Sequence, residues 1–321
     1  MKPLNLDDAA KYQRTTLIQV RTGTGLKFGL KLDKLLGKGS NNAVYLAHAK
    51  DGTPVVVRQP RRGSDTQKLN NASWEFRNTA IAANLNVCPV IYDAWYIRHA
   101  TPLQRSGLHL VCDYYHRDIH SLLLESPMEV LPNANELRKQ VVSHLRKMAD
   151  ANLFCYDLKP SNMVFTDKPE MKVKFIDFGR DFCEWRPYSI ENEFLERAPV
   201  LSYIQTLADE NATDKQSGEM LYADLTFLVM VVMLSANIAY TLSQSRTAIR
   251  AGFAERCFLN FMAGSAAELR TSTRGAHVSI VKEILRHRDI RDTLRHYMGR
   301  RNCGTKRVFY YAGFRKNRMS Y

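Results

Sequence analysis

The sequence has few cysteines, and none of them stands in a pattern that forms a site. Six occur among 321 residues, and no two form a Cys-x-x-Cys pair, which excludes the usual zinc and dithiol motifs. Scattered cysteines in a chain of this length favour a reducing compartment, so we expect a cytoplasmic or nuclear protein. The six are Cys88, Cys112, Cys155, Cys183, Cys257 and Cys303.

Acidic residues are also in short supply. The chain has 46 lysines and arginines against 32 aspartates and glutamates, a net charge of +14. Such an excess favours an anionic partner, or simply serves solubility. Residues 300–321 form a basic tail with interleaved aromatic residues, a composition suited to phosphates and bases. We therefore expect this tail either to contact nucleic acid or an acidic protein, or to pack onto the rest of the chain.

Long apolar runs are almost absent, and the exception is Leu225–Leu242. This segment contains no charged residue and is just long enough to cross a bilayer. Ser235 and Asn237 dilute it, however, and Asp224 adjoins one end. We therefore predict a buried helix and no membrane span. Residues 1–8 contain no apolar core of signal-peptide length.

One short stretch concentrates the chemistry. Residues 155–162 run Cys-Tyr-Asp-Leu-Lys-Pro-Ser-Asn, which places the Asp157 carboxylate two residues before Lys159 and five before Asn162. Phosphoryl transfer needs a group that orients the hydroxyl and accepts its proton, a cation beside the moving phosphoryl, and oxygen ligands for magnesium. These three side chains supply one of each.

A second motif follows closely. Residues 173–179 run Val-Lys-Phe-Ile-Asp-Phe-Gly, an apolar strand that ends in Asp177. The strand offers a rigid mount for a metal-binding carboxylate. Gly179 allows the chain to turn sharply just after it.

In this order the two motifs resemble the eukaryotic-type protein kinase family, whose signatures are H-R-D-L-K-P-x-N and D-F-G. The resemblance implies an α+β, bilobal fold, with a small antiparallel β lobe that carries one main helix and a larger, mostly helical lobe. It also implies ATP and Mg²⁺ as cofactors. Asp157 and Lys159 would be catalytic, and Asn162 and Asp177 would bind the metal. A lysine at position 159 is typical of serine/threonine kinases.

The resemblance extends to a glycine turn upstream. Gly37 and Gly39 match the first two glycines of the family's G-x-G-x-x-G-x-V loop, and Val44 matches its valine. Backbone N–H groups of such a loop can bind ATP phosphates. Asn42 replaces the third glycine, and asparagine tolerates a left-handed backbone better than most residues.

The main departure is Arg58, which stands where the family has its phosphate-binding lysine. Arginine keeps the charge but not the shape of an ammonium. Arg58 could do this work, paired with Glu75 on the following helix. Lys38 of the glycine loop could instead hold the phosphates, as in kinases of the with-no-lysine type. The third alternative is that phosphate binding is lost and the protein is a pseudokinase.

Further positions follow from the same alignment of motifs. Asp113 and Tyr115 would lie in the hinge that borders the nucleotide. Cys155 and Tyr156 replace the family's His-Arg, so the arginine that normally receives an activation-loop phosphate is absent. We expect activity without such phosphorylation. By the same resemblance, Ala198-Pro199-Val200 would be a degenerate form of the family's A-P-E motif, and Asp224 would hold the backbone of the catalytic loop. Together with the basic tail, these departures make the chain similar to kinases of large DNA viruses.

The chain divides into a leader (1–28), a kinase-like domain (29–299) and the tail (300–321). Within the domain, we assign residues 29–112 to the small lobe and 113–299 to the large lobe. Lys50–Thr53 predicts a tight hairpin. Predicted strands are Leu30–Gly37 (half-buried), Ala43–Ala49, Val55–Arg58, Pro89–Ile97 and Leu108–Cys112, and predicted helices are Asn70–Leu85, Leu122–Leu124 and Glu136–Ala149.

These features predict a serine/threonine protein kinase that transfers the γ-phosphoryl of ATP to a protein substrate. The alternative is a pseudokinase or kinase-like scaffold that binds nucleic acid or an acidic protein through its tail. A small-molecule phosphotransferase is a third possibility, which Lys159 and the Asp-Leu-Lys-Pro sequence disfavour.

Overall fold

A computed structural model of the chain resolves into two compact units. The first comprises Met1–His116 and Lys174–Glu184, and the second comprises Arg117–Val173 and the chain from Trp185 onward. The residues that the structure describes are 1–7, 19–21, 30–39, 42–61, 69–97, 107–125, 134–166, 170–179, 183–188 and 199–243.

The first unit is built on a six-stranded sheet with the order β1-β5-β6-β4-β3-β2. All neighbouring strands are antiparallel except β1, which runs parallel to β5. The strands are β1 (Gln19–Arg21), β2 (Lys31–Lys38), β3 (Asn42–His48), β4 (Pro54–Pro60), β5 (Ile91–Ile97) and β6 (Gly107–Asp113).

The predicted hairpin at Lys50–Thr53 is confirmed and joins β3 to β4. Gly52 has φ 81°, which only glycine adopts without strain, and the Asp51 carboxylate accepts the N–H of Thr53 at 3.0 Å. This turn fixes the register of the two strands, so that Val44 lies opposite Arg58 and Asn42 opposite Pro60.

Helix α1 (Leu69–Asn84) covers one face of the sheet. Its Ala72, Phe76 and Ala80 pack with Tyr96 of β5 and other apolar side chains in one core cluster. A second cluster, which includes Trp95 and Val111, fills the opposite face. The order of three strands, a helix and two strands is therefore as predicted.

The second unit is mostly helical. Its helices are α2 (Ile119–Glu125), α3 (Ala134–Asp150), α4 (Pro199–Asn211) and α5 (Lys215–Ser243). Asp118 caps α2, because its carboxylate accepts the backbone N–H of Ser121 at 2.8 Å. Asp214 caps α5 in the same way, with the N–H of Ser217 at 2.7 Å. The remaining described strands are β7 (Arg117–Asp118), β8 (Leu153–Cys155), β9 (Met163–Thr166), β10 (Lys172–Phe175) and β11 (Cys183–Trp185). Residues 174–175 of β10 and 183–184 of β11 belong to the first unit.

Helix α5 is the apolar segment singled out in the sequence. By length and composition it could cross a membrane, but 94% of its most apolar window is buried inside the structure. Helices α3 and α4 pack against it. It is thus the core helix of the second unit, as predicted.

Some expectations for the first unit need correction. Strand β2 exists, but all eight of its residues are exposed, so it is not half-buried; an edge strand paired only with β3 has one uncovered side. Part of the expected leader belongs to the unit, because Leu6 lies in its core and Gln19–Arg21 forms β1. Residues 174–184 also group with this unit, which a single boundary after residue 112 does not foresee.

Other expectations concern residues outside those that the structure describes. They are the activation-loop region, which includes most of residues 180–198, and the basic tail at residues 300–321. Pro199, expected to belong to a degenerate A-P-E motif, is the first residue of α4.

Candidate active site

The catalytic-loop triad of the second unit is assembled as a local network. Lys159 Nζ donates to the Asp157 carboxylate at 2.5 Å. Asn162 Nδ2 donates to the same carboxylate at 3.2 Å and to the Asp157 carbonyl at 3.0 Å. Because the amide nitrogen of Asn162 is directed at Asp157, its amide oxygen remains an acceptor for a cation. The Asp157 carboxylate is therefore held in one orientation by two donors.

The backbone around these residues explains the arrangement. Leu158 is buried, and its carbonyl accepts a hydrogen bond from Asn237 Nδ2 of α5 at 2.6 Å. Pro160 begins a 3₁₀ turn, where its missing N–H costs nothing. That turn brings Asn162 back over Asp157. The apolar helix thus carries one buried amide that supports the loop.

Asp224 was expected to hold the catalytic-loop backbone, and that role stays a prediction. The fully buried Asp224 carboxylate forms an ion pair with Arg146 of α3. Arg146 also bonds to Asp150 one turn later and lies over the Phe227 ring at 5.4 Å. The pair therefore ties α3 to α5 within the second unit.

The first unit holds a separate charged cluster around Arg58 on β4. Its guanidinium forms an ion pair with Glu75 of α1, and Nη2 lies 4.0 Å from the Asp177 carboxylate. Only 5% of the Glu75 side chain and 17% of the Arg58 side chain are exposed, whereas Asp177 is 35% exposed. The predicted pairing of Arg58 with Glu75 is confirmed.

The charge on Arg58 is secured by its neighbours. Burial on its own would lower the pKa of Arg58, but the carboxylates of Glu75 and Asp177 outweigh it and raise the pKa above its ordinary value. A permanently cationic group therefore stands next to the carboxylate that the sequence assigns to metal binding.

Asp177 itself has an unusual backbone. Its φ is 68°, in the left-handed region that few residues other than glycine adopt. A buried asparagine of α1 stabilises the following chain: Asn78 Nδ2 donates to the Phe178 carbonyl at 3.3 Å and to the Cys183 carbonyl at 2.8 Å. The strained aspartate is thus followed by a segment anchored to the helix that also carries Glu75.

The strand before Asp177 is anchored as well. Lys174 Nζ donates to the backbone and side-chain oxygens of Asn86 at 2.5 and 2.6 Å. The N–H of Phe175 donates to the Val87 carbonyl at 2.9 Å. Asn86 has φ 57°, which turns its carbonyl and its side chain towards the same lysine. These bonds explain why residues 174–184 group with the first unit.

The glycine turn lies where it was expected, between β2 and β3. Gly37 is the next-to-last residue of β2 and lies opposite Val44, and a Cβ there would meet no atom within 4 Å. The N–H of Gly39 donates to the Asn42 carbonyl at 2.9 Å, and Arg61 Nη1 donates to the Gly39 carbonyl at 2.7 Å. Lys38, the alternative phosphate ligand, is exposed at the end of β2.

Asn42 corrects one expectation. It lies in extended strand β3, so its tolerance of a left-handed backbone is not used. Instead its side-chain oxygen faces the guanidinium of Arg58, 2.5 Å from Nη2 and 3.3 Å from Nε, in the amide orientation that pairs the oxygen with donors.

The predicted hinge residues lie at the end of β6: Asp113 is its last residue, and Tyr115 follows two residues later. The Tyr92 hydroxyl donates to the Asp113 carboxylate, and the N–H of Asp113 donates to the Val90 carbonyl at 3.0 Å. Burial, together with the negative charge of Asp113, raises the pKa of Tyr115. Tyr115 is therefore neutral and can act as a hydrogen-bond donor.

Hard oxygen donors are available for magnesium in both units. Asn162 offers an amide oxygen in the second unit, and Asp177 offers a half-exposed carboxylate in the first. Since the two residues lie in different units, their expected convergence with Asp157 stays a prediction. Within the described residues, no group of three or more His, Cys, Asp and Glu side chains forms another metal site.

An antiparallel sheet backed by one helix with an Arg–Glu pair, and a helical unit with an Asp-x-Lys-x-x-Asn loop, together define the protein kinase class. Residues 30–183 match the family model described as protein kinase domain. This part of the chain therefore belongs to the protein kinase superfamily, and the match covers every predicted site residue. A search of curated proteins finds no match to the chain.

Sequence reasoning overlooked three polar anchors. They are the side chain of Asn42, which contacts Arg58, and the amides of Asn78 and Asn237, which hold backbone carbonyls about 80 to 105 residues away in the sequence. Only the first had a detectable signal, because the hairpin register places Asn42 diagonally across from Arg58.

Proposed function

We propose that the protein is an active serine/threonine protein kinase that uses ATP and Mg²⁺. The observation that carries the proposal is the intact network in which Lys159 and Asn162 both donate to the Asp157 carboxylate. A scaffold would have no need to keep a carboxylate, a cation and an amide in this arrangement.

In the proposed reaction, the hydroxyl oxygen of a serine or threonine attacks the γ-phosphorus while the bond to the β-phosphate oxygen breaks and ADP leaves. Asp157 orients the hydroxyl and accepts its proton. Lys159 stabilises the negative charge on the transferred phosphoryl oxygens.

The first unit would hold the nucleotide. The Gly37–Gly39 turn, whose Gly39 N–H already donates to the Asn42 carbonyl, would border the phosphates, and the cationic Arg58, fixed by Glu75, would contribute charge there. Asp113 and Tyr115 would border the base. Asn162 and Asp177 would supply oxygen ligands to Mg²⁺, and the ion would neutralise phosphate charge when bound.

The test is a phosphoryl-transfer assay with purified full-length protein, γ-labelled ATP, Mg²⁺, and a basic and an acidic generic protein substrate. We expect label on serine or threonine after acid hydrolysis, and none with Asp157→Asn or Asp177→Asn. Label on tyrosine would contradict the proposed specificity, and absence of transfer under all these conditions would contradict the activity.

The replacement of lysine by Arg58 favours a second candidate, a pseudokinase or scaffold that uses its basic tail to bind nucleic acid or an acidic protein. This candidate predicts no label transfer and no Mg²⁺-dependent nucleotide binding. It also predicts salt-sensitive binding to an anionic polymer that is lost when residues 300–321 are removed.

A further inference from the structure

We infer that Asn42 is a positioning residue for Arg58, and that the two departures from the family pattern form one coupled adaptation. The inference rests on the proposed function, because it concerns how the nucleotide site is held. The family has a glycine at the position of Asn42 and a lysine at the position of Arg58. In this chain an amide acceptor and a guanidinium occupy these positions and meet across the hairpin.

The geometry of the hairpin brings the pair together. Val44 lies opposite Arg58, and Asn42 is two residues before Val44, so both side chains emerge on the same face of the β3–β4 pair. The opposite face carries Ala43 and Val57, which are buried in the unit. Asn42 and Arg58 are therefore diagonal neighbours on adjacent strands, and the long Arg58 side chain can span the distance between them.

The contacts fix the guanidinium from two sides. Glu75 binds Nη1, while the Asn42 oxygen faces Nη2 and Nε at 2.5 and 3.3 Å. An acceptor shared by two N–H groups sets the rotation of the planar group, because both must point at one oxygen. An ammonium has no such plane to orient, so a lysine at this position gains less from an asparagine.

A glycine at position 42 would leave Arg58 held only by carboxylates. Asp177 lies 4.0 Å from Nη2, and an unrestrained guanidinium could rotate to form a closer ion pair with it. That pairing would occupy the carboxylate assigned to magnesium. The neutral acceptor of Asn42 binds the same edge of Arg58 without adding a competing charge.

The test is a double-mutant cycle in the full-length protein, with Asn42→Leu, Arg58→Lys and the double variant, read out as the Kd for ATP in the presence of Mg²⁺. Leucine keeps the approximate size of asparagine and removes the acceptor. We expect Asn42→Leu to weaken ATP binding about tenfold in the parent and less than about twofold in the Arg58→Lys background. Asn42→Gln, which keeps a neutral amide acceptor, should retain binding to within about threefold.

Two measurements separate positioning from mere stability. Asn42→Leu should raise the KM for ATP while kcat at saturating ATP changes less than about threefold. Asn84→Leu, at the exposed end of α1, is the matched control and should leave Kd and KM unchanged. A lower Tm with unchanged Kd would overturn the inference, as would an equal effect of Asn42→Leu in both backgrounds.

The outcome also distinguishes this inference from the proposed function. If the protein binds ATP with the expected coupling but transfers no phosphoryl group, the proposed activity fails and the role of Asn42 stands. If the parent binds no ATP, both fail. If transfer occurs and the coupling is absent, only the role of Asn42 is lost.

Discussion

The two units hold their predicted functional residues by different kinds of contact. In the second, the side chains match the family motif at every proposed functional position, and neighbours within five residues hold them. In the first, the motif changes at residues 42 and 58, and the contacts come from distant parts of the chain. On the proposed function, this contrast predicts that substituting the groups that act on the transferred phosphoryl costs more activity than substituting the groups that position the nucleotide.

The largest expected effect concerns the second unit. Asp157→Asn removes the proton acceptor with almost no change of shape, so kcat should fall by about 10²–10⁴-fold while ATP affinity is retained. Steady-state kinetics and ATP titration measure both quantities. Ser161→Ala, at an exposed position of the same turn, is the control. A near-normal kcat in Asp157→Asn would contradict the expectation that the functional residues of the second unit tolerate replacement less well than those of the first.

The next prediction compares Arg58 with Lys38 as the cation that would bind the nucleotide phosphates. Arg58→Lys should raise the KM for ATP about tenfold, because an ammonium cannot satisfy Glu75 and Asn42 with the same geometry. Lys38→Met should change it less than about twofold, since Lys38 is exposed at the end of β2. The reverse order would assign the phosphates to the glycine loop.

A third prediction concerns the anchoring of the metal motif. Asn78→Leu removes the buried amide that donates to the Phe178 and Cys183 carbonyls. The loss should lower the free energy of unfolding by about 1–3 kcal/mol. Urea denaturation measures the loss, with Asn84→Leu as the exposed control. Equal midpoints for the two variants would show that the anchor is not needed for stability.

The smallest expected effect is on stability, at a contact between α5 and Tyr188 in the second unit. A Cβ at Gly218 of α5 would lie 2.6 Å from Cζ of Tyr188, whose hydroxyl donates to Asp209. Gly218→Ala should therefore destabilise the second unit by about 1 kcal/mol, despite the better helix propensity of alanine.

The same substitution in a Tyr188→Ala background should be neutral or stabilising, because the ring is then absent and only helix propensity remains. Thermal unfolding of the four proteins tests the coupling. Additive changes in Tm would contradict the proposed contact.

Much of the first unit was predictable because its signals are local. The Asp51–Gly52 turn sets the β3–β4 register, and that register alone places Asn42 near Arg58. The pairing of Glu75 followed from family spacing. The exposure of β2 was not predictable. Alternating apolar and polar residues indicate a strand, but they do not indicate whether that strand lies at the edge of the sheet.

The anchors of the catalytic and metal motifs were beyond sequence reasoning for a different reason. Asn78 and Asn237 bind backbone carbonyls, which every residue possesses, so no side-chain partner marks them. In the sequence, Asn237 is visible only as a polar residue that lowers the hydrophobicity of an apolar segment. A polar residue inside an apolar segment is best explained by asking which buried carbonyl it could serve.

The cationic state of Arg58 has a practical consequence for chemical labelling. Amine-directed electrophiles acylate a lysine through its deprotonated form, whereas an arginine has no such form near neutral pH. The carboxylate neighbours of Arg58 raise its pKa further. Acylating nucleotide probes should therefore leave position 58 unmodified. A survey that relies on tagging a lysine at this position would therefore obtain no label at position 58, whether or not the chain binds ATP.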